Sequence, residues 1–271
     1  MPPLRHDEDP TATSSAPPSK RSLTTDPNAS DGDFEVPKPF DSAMSNNFTN
    51  NCADFFKKLL TSDAITTCHP FSLLLQTSSG FFDASKSFVR ITQTLEATCK
   101  ANSTQCVGGM DELARELLTE GACKVDYDNN NPQVVQAYNG LIAYEPLYQA
   151  SCLRDDEGSF CYADAVTNTT SAGADAFPYY LPLGVNLPGG ARPTCNSCLQ
   201  DAMAIFSSFA SNSTQPISQT YTGAAQQITI SCGTSFVNVT AAPLKGAAAA
   251  TTASLTPTIT LFIMLFIYFF Q

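Results

Sequence analysis

Apolar positions recur at helical spacing through the middle of this chain. Between Cys52 and Cys99, the residues Phe81, Ala84, Phe88, Ile91 and Leu95 step by three and four. That spacing sets them on one face of a helix reaching Cys99, which continues the same face. Cys52, Phe55, Phe56, Leu59 and Leu60 predict a short amphipathic helix before it. Pro70 suits the first turn of another, with Phe71, Leu74 and Leu75, and Gly80 marks a break. Lys100 to Val107 reads as a polar link carrying Cys106. Met110, Leu113, Ala114, Leu117 and Leu118 form the next stripe, with Asp111 and Glu112 in its first turn and Gly121 at its end. Asn131 caps a helix opened by Pro132, which carries Val134, Val135, Tyr138, Leu141 and Ile142 and ends near Pro146. Residues 147–194 read as irregular, with Tyr179 to Gly190 a Pro/Gly-rich loop packed on the helices. Two further helices carry Ala202, Ile205, Phe206 and Phe209, then Ile217, Tyr221, Ala224, Ala225 and Ile228. The expected fold is all-α: a single disulfide-stapled helical domain over residues 45–241.

Both ends depart from this pattern. Residues 1–44 are rich in Pro, Ser, Thr and Asp and are expected to form a disordered tail. An Ala/Thr-rich spacer follows the domain over 242–256, residues 257–271 read as a hydrophobic tail, and within it Ile259 to Phe270 is almost purely apolar. That run is about a dozen residues long, short of the ~20 that span a bilayer. Small residues at Gly246, Ala247 and Ala248 are followed by a polar stretch to about Thr256, so the tail matches a GPI-attachment signal with Gly246 as the attachment site. A retained tail-anchor helix is the rival reading.

The charge of -11 and the scatter of the few basic residues argue against nucleic acid as a partner. The cysteines say more. There are ten, Cys52, Cys68, Cys99, Cys106, Cys123, Cys152, Cys161, Cys195, Cys198 and Cys232, all within the domain. An even number confined to the folded part points to disulfides and an oxidising compartment. Asn47, Asn102, Asn168, Asn212 and Asn238 each begin Asn-x-Ser/Thr, as expected of a glycoprotein. Met1 to Arg21 has no apolar segment of the kind a signal peptide needs, so an upstream in-frame segment is expected to encode one.

Catalytic candidates are few. The two histidines are His6, in the tail, and His69, expected at a helix start. No Gly-x-Ser-x-Gly or His-Glu-x-x-His occurs, and one CxxC cannot make a zinc site. Cys195 and Cys198 could form a redox pair, but no strand precedes them, and a scaffold role with separate partners is preferred. Asp126, Asp128 and Asn130 resemble the start of a calcium loop. The Gly and Glu it needs are replaced by Asn131 and Ala137. Asp155, Asp156 and Glu157 could work as paired carboxylates, though adjacent acids in a loop are ordinarily just solvated. No cofactor motif appears, and an enzyme is not expected.

The segments CADFFKKLLTSDAITTCHPFSLLLQTSSGFF and PTCNSCLQDAMAIFSSFA, with the closing Cys232-Gly233, resemble a family of cysteine-rich surface proteins of filamentous fungi, a domain of unknown function. The resemblance covers roughly residues 48–240. It implies secretion and a GPI anchor and carries no catalytic residue over to this chain. The expectation is a glycoprotein lipid-anchored at the cell surface, on the outer leaflet or in the cell wall, with a structural or interaction role. Cell-wall components are possible partners. The alternative is an extracellular binding module whose Phe-rich helices and Pro/Gly flap enclose a lipid-like ligand.

Overall fold

The computed structural model describes residues 34–42, 44, 47–171 and 173–242, and these form an all-helical domain from Glu35 onward. Gly246 and the apolar run beyond it lie outside the described residues. The chain opens with α1 (Asn50–Thr61) and α2 (Asp63–Cys68), then α3 (Phe71–Thr77), α4 (Ser79–Ala84) and α5 (Phe88–Lys100). Next come α6 (Ser103–Leu117), α7 (Lys124–Asp128), α8 (Pro132–Ile142) and α9 (Tyr144–Ser151). After α10 (Cys161–Thr167) stand two 3-10 segments, η1 (Thr169–Ser171) and η2 (Ala174–Leu183). The domain closes with α11 (Ser197–Ala210) and α12 (Ile217–Cys232).

The core has two parts, and α3 runs between them. Leu73 belongs to one, with Phe56, Leu59, Met110, Leu117, Val134 and Leu141 from α1, α6 and α8. Leu74 and Leu75 belong to the other, with Ile91, Leu147, Tyr162, Leu181, Phe206 and Ile228. Phe71, Ser72, Leu73, Leu74, Leu75 and Thr77 are all buried and only Gln76 is partly exposed, so α3 offers solvent almost no face. Its last turn is tied in place by Thr77 Oγ1, which donates to the Leu73 carbonyl at 2.6 Å and accepts from Phe40 N at 3.1 Å.

Several boundaries differ from expectation, each for a local reason. The packed chain starts before residue 45: Phe40 is buried edge-on against Phe56, with ring centroids 5.2 Å apart. The Asp41 carboxylate accepts from Ser78 Oγ, Ser79 N, Ser79 Oγ and Gly80 N at 2.7–2.9 Å, covering the first amides of α4. The helix expected to run from Phe81 to Cys99 is two helices, because Ser85 and Ser87 divert backbone groups. Ser85 Oγ donates to the Phe81 carbonyl, and Ser87 Oγ caps α5 at Arg90 N. The link expected over Lys100–Val107 is mostly helix, since Asn102 caps α6 through Gln105 N at 3.2 Å. Cys106 is therefore helical, and Asp111 and Glu112 sit in mid-helix. Gly121 is not in a left-handed C-cap conformation. His69 does not start a helix; it ends α2 in the left-handed region, with φ 41°. Pro146 lies inside α9, in the first turn where its missing N–H costs nothing. The stretch 147–194 holds α10 and η2 rather than irregular chain, with Pro178 and Pro182 inside η2.

Five disulfides bind these helices: Cys52–Cys123, Cys68–Cys106, Cys99–Cys152, Cys161–Cys198 and Cys195–Cys232. They close separations of 37–71 residues, each worth about 4 kcal/mol of unfolded-chain entropy in the simple loop-closure account.

Candidate functional site

The Cys161–Cys198 bridge draws the start of α10 against the start of α11, with η2 behind them. A cavity of about 490 Å³ opens beside the bridge. Asp155, Asp164, Asp175, Asn168, Tyr179 and Thr194 are among its lining residues. Asp155 comes from the loop between α9 and α10, which an antiparallel bridge between Arg154 and Phe160 closes. Its Oδ1 accepts from Glu157 N at 3.0 Å and Ser159 N at 2.8 Å. Asp164, in the first turn of α10, stands within hydrogen-bonding reach of Asp155. Burial first, then the proton shared with Asp155 and the charges of Asp155 and Glu157, push the Asp164 carboxyl up to about 6. Asp175 is well supplied with donors: Asn168 Nδ2 at 2.7 Å, Thr194 N at 2.6 Å and Thr194 Oγ1 at 3.0 Å. Tyr179 is 3% exposed, its ring edge-on to Tyr162 at 4.8 Å. Burial pushes its hydroxyl up, and Asp164 and Asp175 add to the shift.

Among the described residues every cysteine is paired. Cys195 and Cys198 have separate partners, which leaves no dithiol for redox chemistry in this state. Among the described residues, no three His, Cys, Asp or Glu side chains are placed to hold a metal ion. Asp126 is buried and accepts from Thr49 N at 3.0 Å and Thr49 Oγ1 at 2.5 Å, while Asp128 pairs with Lys124. The calcium-loop candidates therefore serve helix starts and a surface ion pair. His69 is held below its ordinary value by burial, and its carbonyl accepts from Thr98 Oγ1 at 2.8 Å. Among the described residues, no helix is long and apolar enough to cross a membrane.

Residues 35–241 match the model of a family described as Domain of unknown function (DUF7729). The chain belongs to this family. No curated protein and no solved structure matches it.

Within the DUF7729 domain the five sequons divide by local geometry. Asn168, Asn212 and Asn238 share one turn: each Oδ1 accepts from both the N–H and the hydroxyl of the threonine two residues on. Asn102 instead caps α6. At Asn47 the sequon hydroxyl, Thr49 Oγ1, is committed to Asp126. Asn47, Asn102 and Asn238 are exposed, and Asn168 and Asn212 are half-buried. The sequence reading singled out Asp155 but missed Asp164, Asp175 and Tyr179. One signal was available for Asp164: it follows Cys161 by three residues, so any helix there sets both on one face.

Proposed function

We propose that this chain is a secreted glycoprotein of the fungal surface, held by a C-terminal lipid anchor and acting in a structural or interaction role rather than as a catalyst. The pairing of all ten cysteines into five cross-helix bridges carries the reading. Such bridges form and persist in oxidising compartments, whereas cytosolic thiols are kept reduced. Sequons with surface-accessible asparagines add support. The anchor rests on sequence pattern: small residues at Gly246, a spacer, then the apolar run. The alternative, a module enclosing a lipid-like ligand, is the weaker reading. Phe71, Phe81 and Phe206 are buried in the core, and Tyr179, Leu181, Leu183 and Leu187 of the Pro/Gly flap are buried in the same cluster.

Phospholipase treatment of intact cells tests the anchor. Release of the domain into the soluble fraction is expected, together with a mass that falls after removal of N-linked glycans. A protein that stays membrane-bound and still yields the peptide Leu261 to Gln271 would establish a retained helix instead. An unglycosylated product with free thiols would overturn the whole reading.

A further inference from the structure

A second cavity, of about 330 Å³, lies where the turn between α11 and α12 meets α6, α8 and the start of α9. Asn212, Gln215, Tyr144 and Phe209 are among its lining residues, with the exposed Asp111 and Glu145. Its wall holds unmet hydrogen-bonding capacity. Among the described residues five buried side-chain polar atoms lack a partner, and two of them, the Tyr144 hydroxyl and Gln215 Oε1, belong to residues that line this cavity. A third, Ser211 Oγ, belongs to the residue before Asn212. Tyr144 is 2% exposed, and a buried polar group left unpaired is costly.

The identity of the occupant follows from Asn212. The residue is half-buried in the turn, and Thr214 N and Thr214 Oγ1 both donate to its Oδ1, at 3.1 and 2.8 Å. Its Nδ2 makes no hydrogen bond among the described residues, so that atom is open to substitution. Phe209, three residues earlier, belongs to the same turn: its carbonyl accepts from Asn212 N at 3.0 Å. A sugar on Nδ2 would therefore start at the cavity with Phe209 in the wall beside it. The first sugar of an N-linked chain is N-acetylglucosamine. It has an acetamido N–H to donate to Gln215 Oε1, oxygens to accept from the Tyr144 hydroxyl, and a ring face of C–H groups to lie on Phe209. The volume suits one such ring, at the small end of the range for ligand sites.

We propose that Asn212 is glycosylated and that its first N-acetylglucosamine is seated in this cavity, against Tyr144, Gln215 and Phe209, as part of the folded domain. The inference rests on the glycoprotein reading above and adds to it a binding site for the glycan. Transfer forms the Nδ2–C1 bond and breaks the C1–O bond to a lipid-pyrophosphate oligosaccharide donor, whose departing pyrophosphate takes the amide proton. The unfolded chain accepts the sugar, so half-burial of Asn212 is no obstacle, and the domain closes round it. Asn238 has the same threonine turn but is exposed and lies outside this cavity.

The test uses the full chain, secreted from a eukaryotic host behind a secretion signal and kept in mild detergent. Peptide mapping by mass should find Asn212 occupied. A glycan-cleaving amidase acting on the native protein should release the glycan of an exposed sequon, Asn238 or Asn102, at least about tenfold faster than that of Asn212. The difference should vanish after reduction and denaturation. The second readout is a cycle of Tm values, in protein trimmed to one sugar per site by an endoglycosidase. Tyr144→Phe should lower Tm there by about 2–4 °C. Asn212→Asp keeps the acceptor for Thr214 and cannot be glycosylated. In that background Tyr144→Phe should leave Tm unchanged or raise it, because it removes an unpaired buried hydroxyl. Should Tyr144→Phe fail to fold, the amidase rates on wild type decide. Equal release at the exposed and cavity sites, an empty Asn212 in a protein glycosylated elsewhere, or a Tyr144→Phe shift of the same size in both backgrounds would overturn the proposal and leave the glycoprotein reading standing. A secreted protein with no sugar at any sequon would overturn both.

Discussion

Gly140 lets α8 lie directly on α3: a Cβ built there would stand 2.5 Å from Leu73 Cδ2 and 3.3 Å from the Ser72 carbonyl oxygen. Leu73 is itself buried in the core at 1% exposure, so it has little room to give way. Gly140→Ala should therefore lower stability despite alanine's helix propensity. A strain cost of about 1–3 kcal/mol outweighs a propensity gain of about 1 kcal/mol. Gly108 in α6 is the control, since no atom lies within 4 Å of its added Cβ. Gly108→Ala should raise stability by roughly 0.5–1 kcal/mol. Thermal melts of the two variants should move in opposite directions. A Gly140→Ala variant that melts at or above wild type would refute the close approach.

Asp41 fastens the N-terminal arm to the start of α4. Partial burial pushes its carboxyl up, but the donors of Gly80, Ser78 and Ser79 outweigh that and hold it below the ordinary carboxylate range. Its contribution is thus present above the unfolded value of 3.8 and is lost as the pH falls through the lower folded value. Asp41→Ala should free residues 35–41 while the rest of the domain stays folded. Limited proteolysis at neutral pH reads this directly: cleavage within the arm should speed up in the variant, with α5 to α12 still protected. Equal cleavage in both proteins would place the arm's hold elsewhere, on Phe40.

Peptide mapping under non-reducing conditions should join the peptides of Cys161 with Cys198 and of Cys195 with Cys232. It should find no Cys195–Cys198 bridge. Replacing Cys195 and Cys232 together by alanine should cost about 2–5 kcal/mol. For a domain of this size that lowers Tm by roughly 5–15 °C. A vicinal Cys195–Cys198 bridge in the native protein would restore the redox reading of the CxxC.

Much of the helical fold is legible in the chain, because the signals are local. Asn131-Pro132 starts α8 where a side-chain cap and a proline say it should. The stripes of α1 and α12 match the buried residues of those helices almost throughout, whereas in α11 Ala202 and Phe206 are buried but Ile205 and Phe209 are only half-buried, the buried face running instead through Leu199, Met203 and Ala210. What escapes is of two kinds. Polar residues such as Ser85, Ser87 and Asn102 decide helix ends by bonding the backbone, and their composition alone reads equally as link or cap. Pairing is the other kind. Ten cysteines allow on the order of a thousand connectivities, and only the bridge actually formed, Cys161–Cys198, sets Asp164 beside Thr194 and Tyr179. Asp155 drew notice as part of an acidic run, yet its partner lies nine residues on, past a turn and a cysteine. The cavity exists because of long-range contacts, so no local pattern announces it.

The Asp155–Asp164 pair also makes stability depend on pH in a direction opposite to that of Asp41. The Asp164 carboxyl is raised from its ordinary 3.8 to about 6, chiefly by burial and then by Asp155. Between those values the unfolded chain has released the proton while the folded chain still holds it. The folded state binds more protons there, so stability falls as pH rises from about 4 to 6, then levels off. Below about 4 both states are protonated and the effect vanishes. Asp164→Asn removes the titrating group and keeps a hydrogen-bonding partner for Asp155. Its Tm should match wild type near pH 4 and exceed it by a constant margin above pH 7. Asp164 is partly exposed, so solvent screening keeps that margin small, and the shape of the difference curve is the informative part. A difference that is flat across pH 4–7, or one that favours wild type at pH 7, would mean that the two carboxylates do not confront each other in the folded protein.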